Sequence, residues 1–120
     1  MSVEHKAEAL AIHCIDYRFQ EMIDQDLASR GLNGNVDRIA WPGASMDLDK
    51  VSEAANVSIR LHDPNQAFIY EHEDCGAYGE DNSLKTHKEN AEKLAEKLKE
   101  AKPSLEITPL IATFDGVKEL

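Results

Sequence analysis

The chain is poor in positive charge. Thirteen lysine and arginine residues stand against 23 aspartate and glutamate residues, which leaves a formal net charge of −10 at pH 7. Nucleic acids and anionic membrane surfaces are bound through clustered positive charge. The composition therefore argues against both as partners, and it says little about small-molecule substrates, because many soluble enzymes are acidic.

The sequence also lacks long hydrophobic runs. No N-terminal segment has the apolar character of a signal peptide, and no run is long enough for a transmembrane helix. A cytoplasmic protein is therefore the expectation. No repeat, linker or low-complexity tract interrupts the 120 residues, a length that suits one domain with an ordinary hydrophobic core and is too short for two. We expect a single domain at residues 1–120.

Cysteine is scarce, and the two that are present, Cys14 and Cys75, each follow an apolar run. Either one alone would more often be a buried structural thiol. The pair could also form a disulfide, although a reducing cytoplasm favours metal binding or reactivity. His72 precedes the second cysteine by three positions, and two thiols with one imidazole form a soft ligand set for Zn²⁺. Three protein ligands leave one coordination position open, which is typical of catalytic zinc sites.

Two charged side chains follow the first cysteine at short spacing. Asp16 and Arg18 could be only a surface ion pair or charges at the start of a helix. Beside a metal, the carboxylate could approach the ion and the guanidinium could hold it away by a two-pronged hydrogen bond. A cysteine-phosphatase loop would need Cys and Arg six positions apart, whereas Arg18 follows Cys14 by four and position 20 is Gln. That alternative is set aside.

Apolar runs alternate with amphipathic stretches along the chain. The runs predict four strands, at residues 7–15, 36–41, 66–70 and 105–114. Apolar residues at helical spacing predict three helices, whose stripes begin at Phe19, Leu48 and Leu84. The alternation predicts an α/β fold, a parallel sheet with right-handed crossovers and helices on both faces. Pro109 within the last run suggests an edge position or a local irregularity.

The two groups of reactive residues end the first and third predicted strands. Ligand sites in parallel α/β sheets lie beyond the carboxyl ends of the strands, near a topological switch point. Cys14 and His72 can therefore meet at one site although they are far apart in sequence.

The two motifs, Cys-x-Asp-x-Arg at 14–18 and His-x-x-Cys-Gly at 72–76, resemble the signature of the β-class carbonic anhydrases. The resemblance covers nearly the whole chain and is greatest with small, divergent members that carry His-x-Asp-Cys-Gly-Ala-Tyr-Gly. It implies a three-layer fold with about four strands in the order 2-1-3-4. It also implies Zn²⁺ bound by Cys14, His72 and Cys75, and reversible hydration of carbon dioxide to bicarbonate by zinc-bound hydroxide.

The resemblance assigns catalytic roles to the charged pair and leaves alternatives open. In the family the aspartate, here Asp16, either pairs with Arg18 or swings in as the fourth zinc ligand. Relatives on this fold also hydrolyse carbonyl sulfide or carbon disulfide, and a non-catalytic zinc-binding protein with a permanently closed site is the third alternative. Tyr17 stands where a small residue is usual, and Asp74 directly precedes the metal cysteine. The family's N-terminal helical arm, its C-terminal extension and its carbon dioxide pocket residues have no recognisable match.

The implied topology adds an expectation about assembly. In the strand order 2-1-3-4, right-handed crossovers place the first helix on one face of the sheet and the other two on the opposite face. One short helix, at residues 19–30, would then have to cover a face that should be buried. We therefore expect a homodimer, and the resembled family also builds its site near a dimer interface.

The remaining histidines have simpler interpretations. His13 should face away from the ligands, because neighbouring strand residues point to opposite faces. His5 and His62 are expected at the surface or in packing, and His87, on the stripe of the third helix, as a packed and hydrogen-bonded core residue. The segment 42–45 follows the second strand where the family carries a small-residue loop, and turn chemistry alone would explain it.

Overall fold

The computed structural model describes residues 5–120, in which strands and helices alternate as predicted. The strands are β1 Ala9–His13, β2 Val36–Ala40, β3 Gln66–His72, β4 Glu106–Thr113 and β5 Gly116–Glu119. The α-helices are α1 Tyr17–Ser29, α2 Leu48–His62 and α3 Leu84–Ala101. Within these residues, no helix combines the length and apolarity that a membrane crossing requires. The first four residues of the predicted domain lie outside the described part of the chain.

The strands form one sheet in the order β2-β1-β3-β4-β5, and the first four are parallel. The predicted order 2-1-3-4 is confirmed. The sheet has five strands where about four were expected, because β5 adds an antiparallel edge to β4. Thr113 pairs with Gly116 across a two-residue turn, the commonest kind of hairpin connection. With Val117 as its one large apolar residue, β5 gives too weak a pattern to be recognised from sequence.

Pro109 does not mark an edge strand, because β4 is paired on both sides. The carbonyl of Pro109 accepts the N–H of Leu120 at 3.2 Å, so its backbone faces the β5 side. The β5 ladder starts at Leu110, one residue beyond the proline. The missing N–H of the proline therefore removes no hydrogen bond from the ladder with β3.

The helices cover both faces of the sheet, as predicted. Side chains alternate between the faces along each strand, so Leu10 and Ile12 of β1 enter a core with α2 and α3. Phe68 and Tyr70 of β3 enter a second core with α1. Burial of each large apolar side chain stabilises the fold by about 1.5–3 kcal/mol, so both cores hold the sheet between its helices.

The face under α1 is buried, contrary to the expectation on which the predicted homodimer rested. Phe68, Tyr70 and Leu110 are at most 2% exposed. Phe19 and Ile23 of α1 belong to the same core. The core on this face also contains Leu32 and, partly buried, Val117 of β5, so α1 is not its only cover.

Helix α1 begins within the first motif, at Tyr17, because Asp16 caps it. The carboxylate of Asp16 accepts the backbone N–H of Arg18 at 3.0 Å, an N-cap interaction that stabilises a helix by about 1 kcal/mol. Phe19, Ile23 and Leu27 then recur at helical spacing and are buried against the sheet. The cap also fixes the position of Asp16, two residues after the first cysteine.

Strands β1 and β3 lie side by side at the centre of the sheet, with Ile12 opposite Ile69. They run in the same direction, so the residues that follow them emerge at the same edge of the sheet. Cys14 comes just after β1, and His72 is the last residue of β3. The topology therefore brings the two motifs together.

Candidate metal centre

Three soft ligand groups meet beyond the carboxyl ends of β1 and β3. The ligand atoms of Cys14, His72 and Cys75 all lie within 4.8 Å of one another, and the two Sγ atoms are 4.0 Å apart. All three side chains are buried. A one-turn 3₁₀ helix, Gly76–Tyr78, follows the second cysteine. The residues predicted as metal ligands are thus neighbours in the fold.

The geometry of these groups fits a tetrahedral metal ion. Two thiolates on one Zn²⁺, each at about 2.3 Å and at the tetrahedral angle, lie about 3.8 Å apart, close to the 4.0 Å between Cys14 and Cys75. His72 Nδ1 lies 2.7 Å from the carbonyl oxygen of Glu73 and donates to it, which leaves Nε2 as a lone-pair acceptor. Among residues 5–120, His72 Nε2 is the one buried side-chain polar atom without a hydrogen-bond partner. A metal ion would satisfy it.

The surroundings of the thiols favour a thiolate at Cys14. The hydrogen bond with Cys75 lowers the pKa of Cys14 against the effect of burial, and the N–H of Gly43, 3.3 Å from Cys14 Sγ, acts in the same direction. The same interaction, together with burial, raises the pKa of Cys75. Thiolates are the form that binds metal ions. A bound cation would favour the ionised form of the second thiol as well.

Asp16 and Arg18 form the predicted pair beside the three ligand groups. Arg18 Nε is 3.0 Å from Asp16 Oδ1 and Nη2 is 2.7 Å from Oδ2, so the carboxylate accepts two parallel hydrogen bonds. Side-chain hydrogen bonding from Arg18 lowers the pKa of Asp16 to about 2. Asp16 Oδ2 is also 3.9 Å from His72 Nε2. Of the two arrangements implied by the resemblance, the structure shows the one in which Asp16 is paired with Arg18.

Arg18 has a second carboxylate partner that the sequence did not reveal. Its Nη1 donates to Asp74 Oδ2 at 3.0 Å, and its Nη2 donates to the Asp74 carbonyl at 3.0 Å. Asp74 has a φ of 53°, a left-handed conformation that aspartate adopts more readily than most residues. In sequence, Asp74 was recognisable only as the residue before the metal cysteine, and nothing in the pattern indicated its partner.

Aromatic rings support the site from the α1 side. Phe19 stacks on His72 with ring centres 4.5 Å apart, and Phe114 lies 4.9 Å from Phe19. The guanidinium carbon of Arg18 is 5.5 Å from the centres of both phenylalanine rings, within the range of cation–π attraction. Neither ring was a candidate from sequence, because Phe19 fits the apolar stripe of α1 and Phe114 reaches the site only through the turn into β5.

The ligand cluster borders a cleft of about 550 Å³. Asp16, Arg18 and Asp74 form its charged side. The other residues besides Cys14 are mostly apolar: Ile15, Tyr17, Pro42, Gly76 and Ala77. A cleft with mostly apolar walls and a few convergent polar groups is typical of small-molecule sites.

The other histidines do not join the ligand cluster. His13 is buried, contacts the Cys14 carbonyl at 2.8 Å through Nδ1, and burial lowers its pKa. His62 Nδ1 lies 2.7 Å from a neighbouring carboxylate oxygen, and the ring centres of His5 and His62 are 6.5 Å apart. His87 is buried and hydrogen-bonded. Each position agrees with the role expected from sequence.

Solved structures of carbonic anhydrases share this fold. The carbonic anhydrase from Glaciozyma antarctica superposes with a TM-score of 0.68 at 14% identity, over 97% of this chain and 83% of its own. The β-carbonic anhydrase CafA of Aspergillus fumigatus superposes with a TM-score of 0.64 at 18% identity, over 97% of this chain and 76% of its own. At these identities the similarity establishes the fold alone, which is that of the β-carbonic anhydrases.

The sequence comparison defines the family. Residues 4–117 match the family described as "Putative carbonic anhydrase", and the chain belongs to this family. It is also 29% identical to an uncharacterized protein of Rickettsia conorii, over 96% of this chain and 72% of that protein. An uncharacterized protein of Rickettsia bellii is 25% identical, over 96% of this chain and 82% of its own. The resemblance that rested on the two motifs is confirmed by the family and by the fold.

Proposed function

We propose that this protein is a zinc-dependent carbonate dehydratase, a lyase that interconverts carbon dioxide and bicarbonate. The observation that carries the proposal is the buried Nε2 of His72, which has no partner in the described part of the chain and lies beside the Asp16–Arg18 pair. Cys14, His72 and Cys75 would hold one zinc ion in a single domain. Family membership and fold support the same activity.

The residues around this site would have separate roles in the reaction. A zinc ion held by these three residues would supply the nucleophile, because zinc lowers the pKa of a bound water to about 7. Asp16, beside the ligand cluster, would accept a hydrogen bond from the nucleophile and orient it toward carbon dioxide. Arg18 holds Asp16 by two hydrogen bonds, which would keep the carboxylate of Asp16 from binding the ion itself. Apolar residues of the cleft, such as Ile15 and Pro42, favour an uncharged substrate.

We also propose that the protein is a cytoplasmic homodimer. The reason is not the sheet face under α1 but the exposed side chains beside the cleft. Ile15 is 52% exposed and Tyr17 is 83% exposed, and both line the cleft. Contiguous exposed apolar surface is typical of interaction sites, and a second copy placed over these two side chains would shield the cleft from water. The two free thiols suit a reducing compartment. Light scattering at micromolar concentration should give twice the 13.4 kDa of one chain, and a strict monomer would refute the dimer.

Stopped-flow hydration of carbon dioxide between about pH 7 and 9 tests the reaction, with the zinc content of the same sample measured first. About one zinc per chain together with hydration supports the proposal. If the protein binds zinc and hydrolyses carbonyl sulfide or carbon disulfide but does not hydrate carbon dioxide, the proposed substrate is wrong and one of these compounds takes its place. Zinc without any of these activities would indicate a non-catalytic zinc-binding protein, and the absence of zinc would refute the metal centre.

A further inference from the structure

A buried carboxylate lies directly behind the candidate metal ligands. Glu71 precedes His72 on β3, and its side chain points to the opposite face of the sheet, toward α3. The side chain is 1% exposed. Its Oε1 accepts from Tyr78 Oη and from His87 Nδ1, both at 2.7 Å, and its Oε2 accepts from Ser45 Oγ at 2.5 Å. A buried charge is strongly destabilising unless it is hydrogen-bonded in this way.

One of these hydrogen bonds leads to the first thiol. Ser45 lies in the short 3₁₀ turn Ala44–Met46 that follows β2. Gly43, at the start of that turn, donates its N–H to Cys14 Sγ at 3.3 Å. Glu71 therefore anchors the turn whose backbone contacts Cys14.

The other two hydrogen bonds lead to the second thiol. Tyr78 ends the 3₁₀ turn that follows Cys75, and its ring stacks on His87 with centres 3.9 Å apart. His87 Nε2 faces Asn82 Oδ1 at 3.4 Å, and the same oxygen accepts the backbone N–H of Cys75 at 3.0 Å. Glu71 is thus connected to Cys75 along two routes, one through Tyr78 and one through His87 and Asn82.

A structural ion pair between β3 and α3 would account for Glu71 and His87 alone. It would not require the other two donors, Ser45 and Tyr78, which come from the two turns that flank the thiols. We propose that Glu71 is a positioning residue of the candidate metal centre, which fixes both turns and thereby sets the metal affinity and the ligand geometry. The inference rests on the proposed metal site and not on the proposed reaction.

Titration of the metal-free 120-residue chain with Co²⁺ tests this role, because the visible spectrum of Co²⁺ reports ligand type and geometry. Glu71→Gln keeps the size of the side chain but replaces one acceptor oxygen with a donor amide. Tyr78→Phe removes one hydroxyl and keeps the ring that stacks on His87. Tyr70→Phe is the matched control, because Tyr70 is also a buried β3 residue that donates to a carboxylate, at 2.6 Å, on the α1 side.

We expect Glu71→Gln to bind Co²⁺ about 10- to 100-fold more weakly than the parent, the usual effect of losing a partner behind metal ligands, with shifted absorption bands. Tyr78→Phe should change affinity and spectrum in the same direction by less, and Tyr70→Phe should match the parent. Parental affinity and spectrum in both Glu71→Gln and Tyr78→Phe would overturn the proposal. An equal loss in Tyr70→Phe would also overturn it, since general destabilisation would then explain the effect. If Glu71→Gln does not fold, Tyr78→Phe decides the question.

A conservative pair at Asn82 tests the route to Cys75. Asn82→Asp keeps an oxygen that can accept the Cys75 N–H and should retain the parental spectrum, whereas Asn82→Ala should not. A parental spectrum in Asn82→Ala contradicts the proposal.

The test separates this inference from the proposed reaction. A parent chain that binds Co²⁺ through its thiolates but hydrates no carbon dioxide removes the proposed function and leaves the role of Glu71 standing. A parent chain that binds no Co²⁺ removes both.

Discussion

Gly43 is the left-handed glycine that contacts the candidate metal centre. Its φ is +75°, and a Cβ at this position would lie 3.1 Å from Ala77 Cβ and 3.2 Å from Met46 Cε. Its N–H donates to Cys14 Sγ. Gly34 has a φ of +76° but open space where a Cβ would stand. Gly34→Ala is therefore a matched control for Gly43→Ala, with the same backbone conformation and no crowding.

The two substitutions should differ by the energy of that crowding. The left-handed conformation costs an alanine about 1–2 kcal/mol, and the reduced entropy of the unfolded chain offsets about 0.4–1 kcal/mol of it. Gly34→Ala should therefore lose about 1 kcal/mol of stability. Gly43→Ala adds overpacking, which typically costs about 1–3 kcal/mol, for a total of about 2–4 kcal/mol. With an unfolding entropy of about 0.25 kcal/mol/K for this length, the losses correspond to about 4 °C and about 8–16 °C in Tm.

Thermal unfolding followed by circular dichroism, with zinc measured in the same samples, checks the expected loss in Tm of each variant. Gly34→Ala should keep the parental zinc content. Gly43→Ala should lose part of its zinc, because the turn must shift and carry its N–H away from Cys14 Sγ. Equal drops in Tm with full zinc in both variants would refute the crowding argument, and no drop in either would refute the backbone argument.

Substitutions of the ligands and of the charged pair should separate metal binding from chemistry. Cys14→Ser and Cys75→Ser should each lose zinc and hydration activity together, and full zinc by elemental analysis in either would contradict the ligand assignment. Asp16→Asn and Arg18→Ala should keep most of their zinc but hydrate carbon dioxide about 100-fold more slowly. The control Asp24→Asn, which breaks a surface ion pair, should match the parent. Parental hydration rates in Asp16→Asn and Arg18→Ala would rule out a catalytic role for the pair. Arg18 lowers the pKa of Asp16 from 3.8 to about 2, so the pair stabilises the fold fully above pH 3.8 and loses this contribution as the pH falls to about 2. The Tm difference between the parent and Asp16→Asn should shrink across that window, and a constant difference would contradict the assignment.

The meeting of Cys14, His72 and Cys75 was predictable because it depends on rules that act along the chain. Cys14 and His72 each end a run of buried residues, and parallel strands deliver their carboxyl ends to one edge of the sheet. The predicted third strand ended at Tyr70, two residues before the observed end of β3 at His72. Glu71 is charged, and a charged residue argues against a buried strand, but in the structure three donors compensate its charge.

The surroundings of the ligands were not predictable, because they depend on contacts between distant segments. Phe114 reaches Arg18 only after the chain turns into β5. Asp74 reaches Arg18 through a left-handed backbone conformation that no local pattern announces. The donors to Glu71 come from two short turns and one helix, and their meeting depends on side-chain rotamers as well as on topology.

The two sides of the candidate metal centre therefore differ in rigidity. Behind the ligands, the hydrogen bonds of Glu71 are buried and join β3 to two turns and α3, and breaking one would leave the buried charge with fewer donors. Beside the cleft, Arg18 divides its donors between Asp16 and the largely exposed Asp74, and exposed ion pairs contribute only about 0–1 kcal/mol. If Asp16 moves away from Arg18, Asp74 still pairs with the Arg18 guanidinium. The movement therefore costs less free energy than breaking an ion pair that has no second carboxylate. Substitutions at Asp74 should consequently alter the rate more than the metal affinity, and substitutions at Glu71 should alter the affinity first.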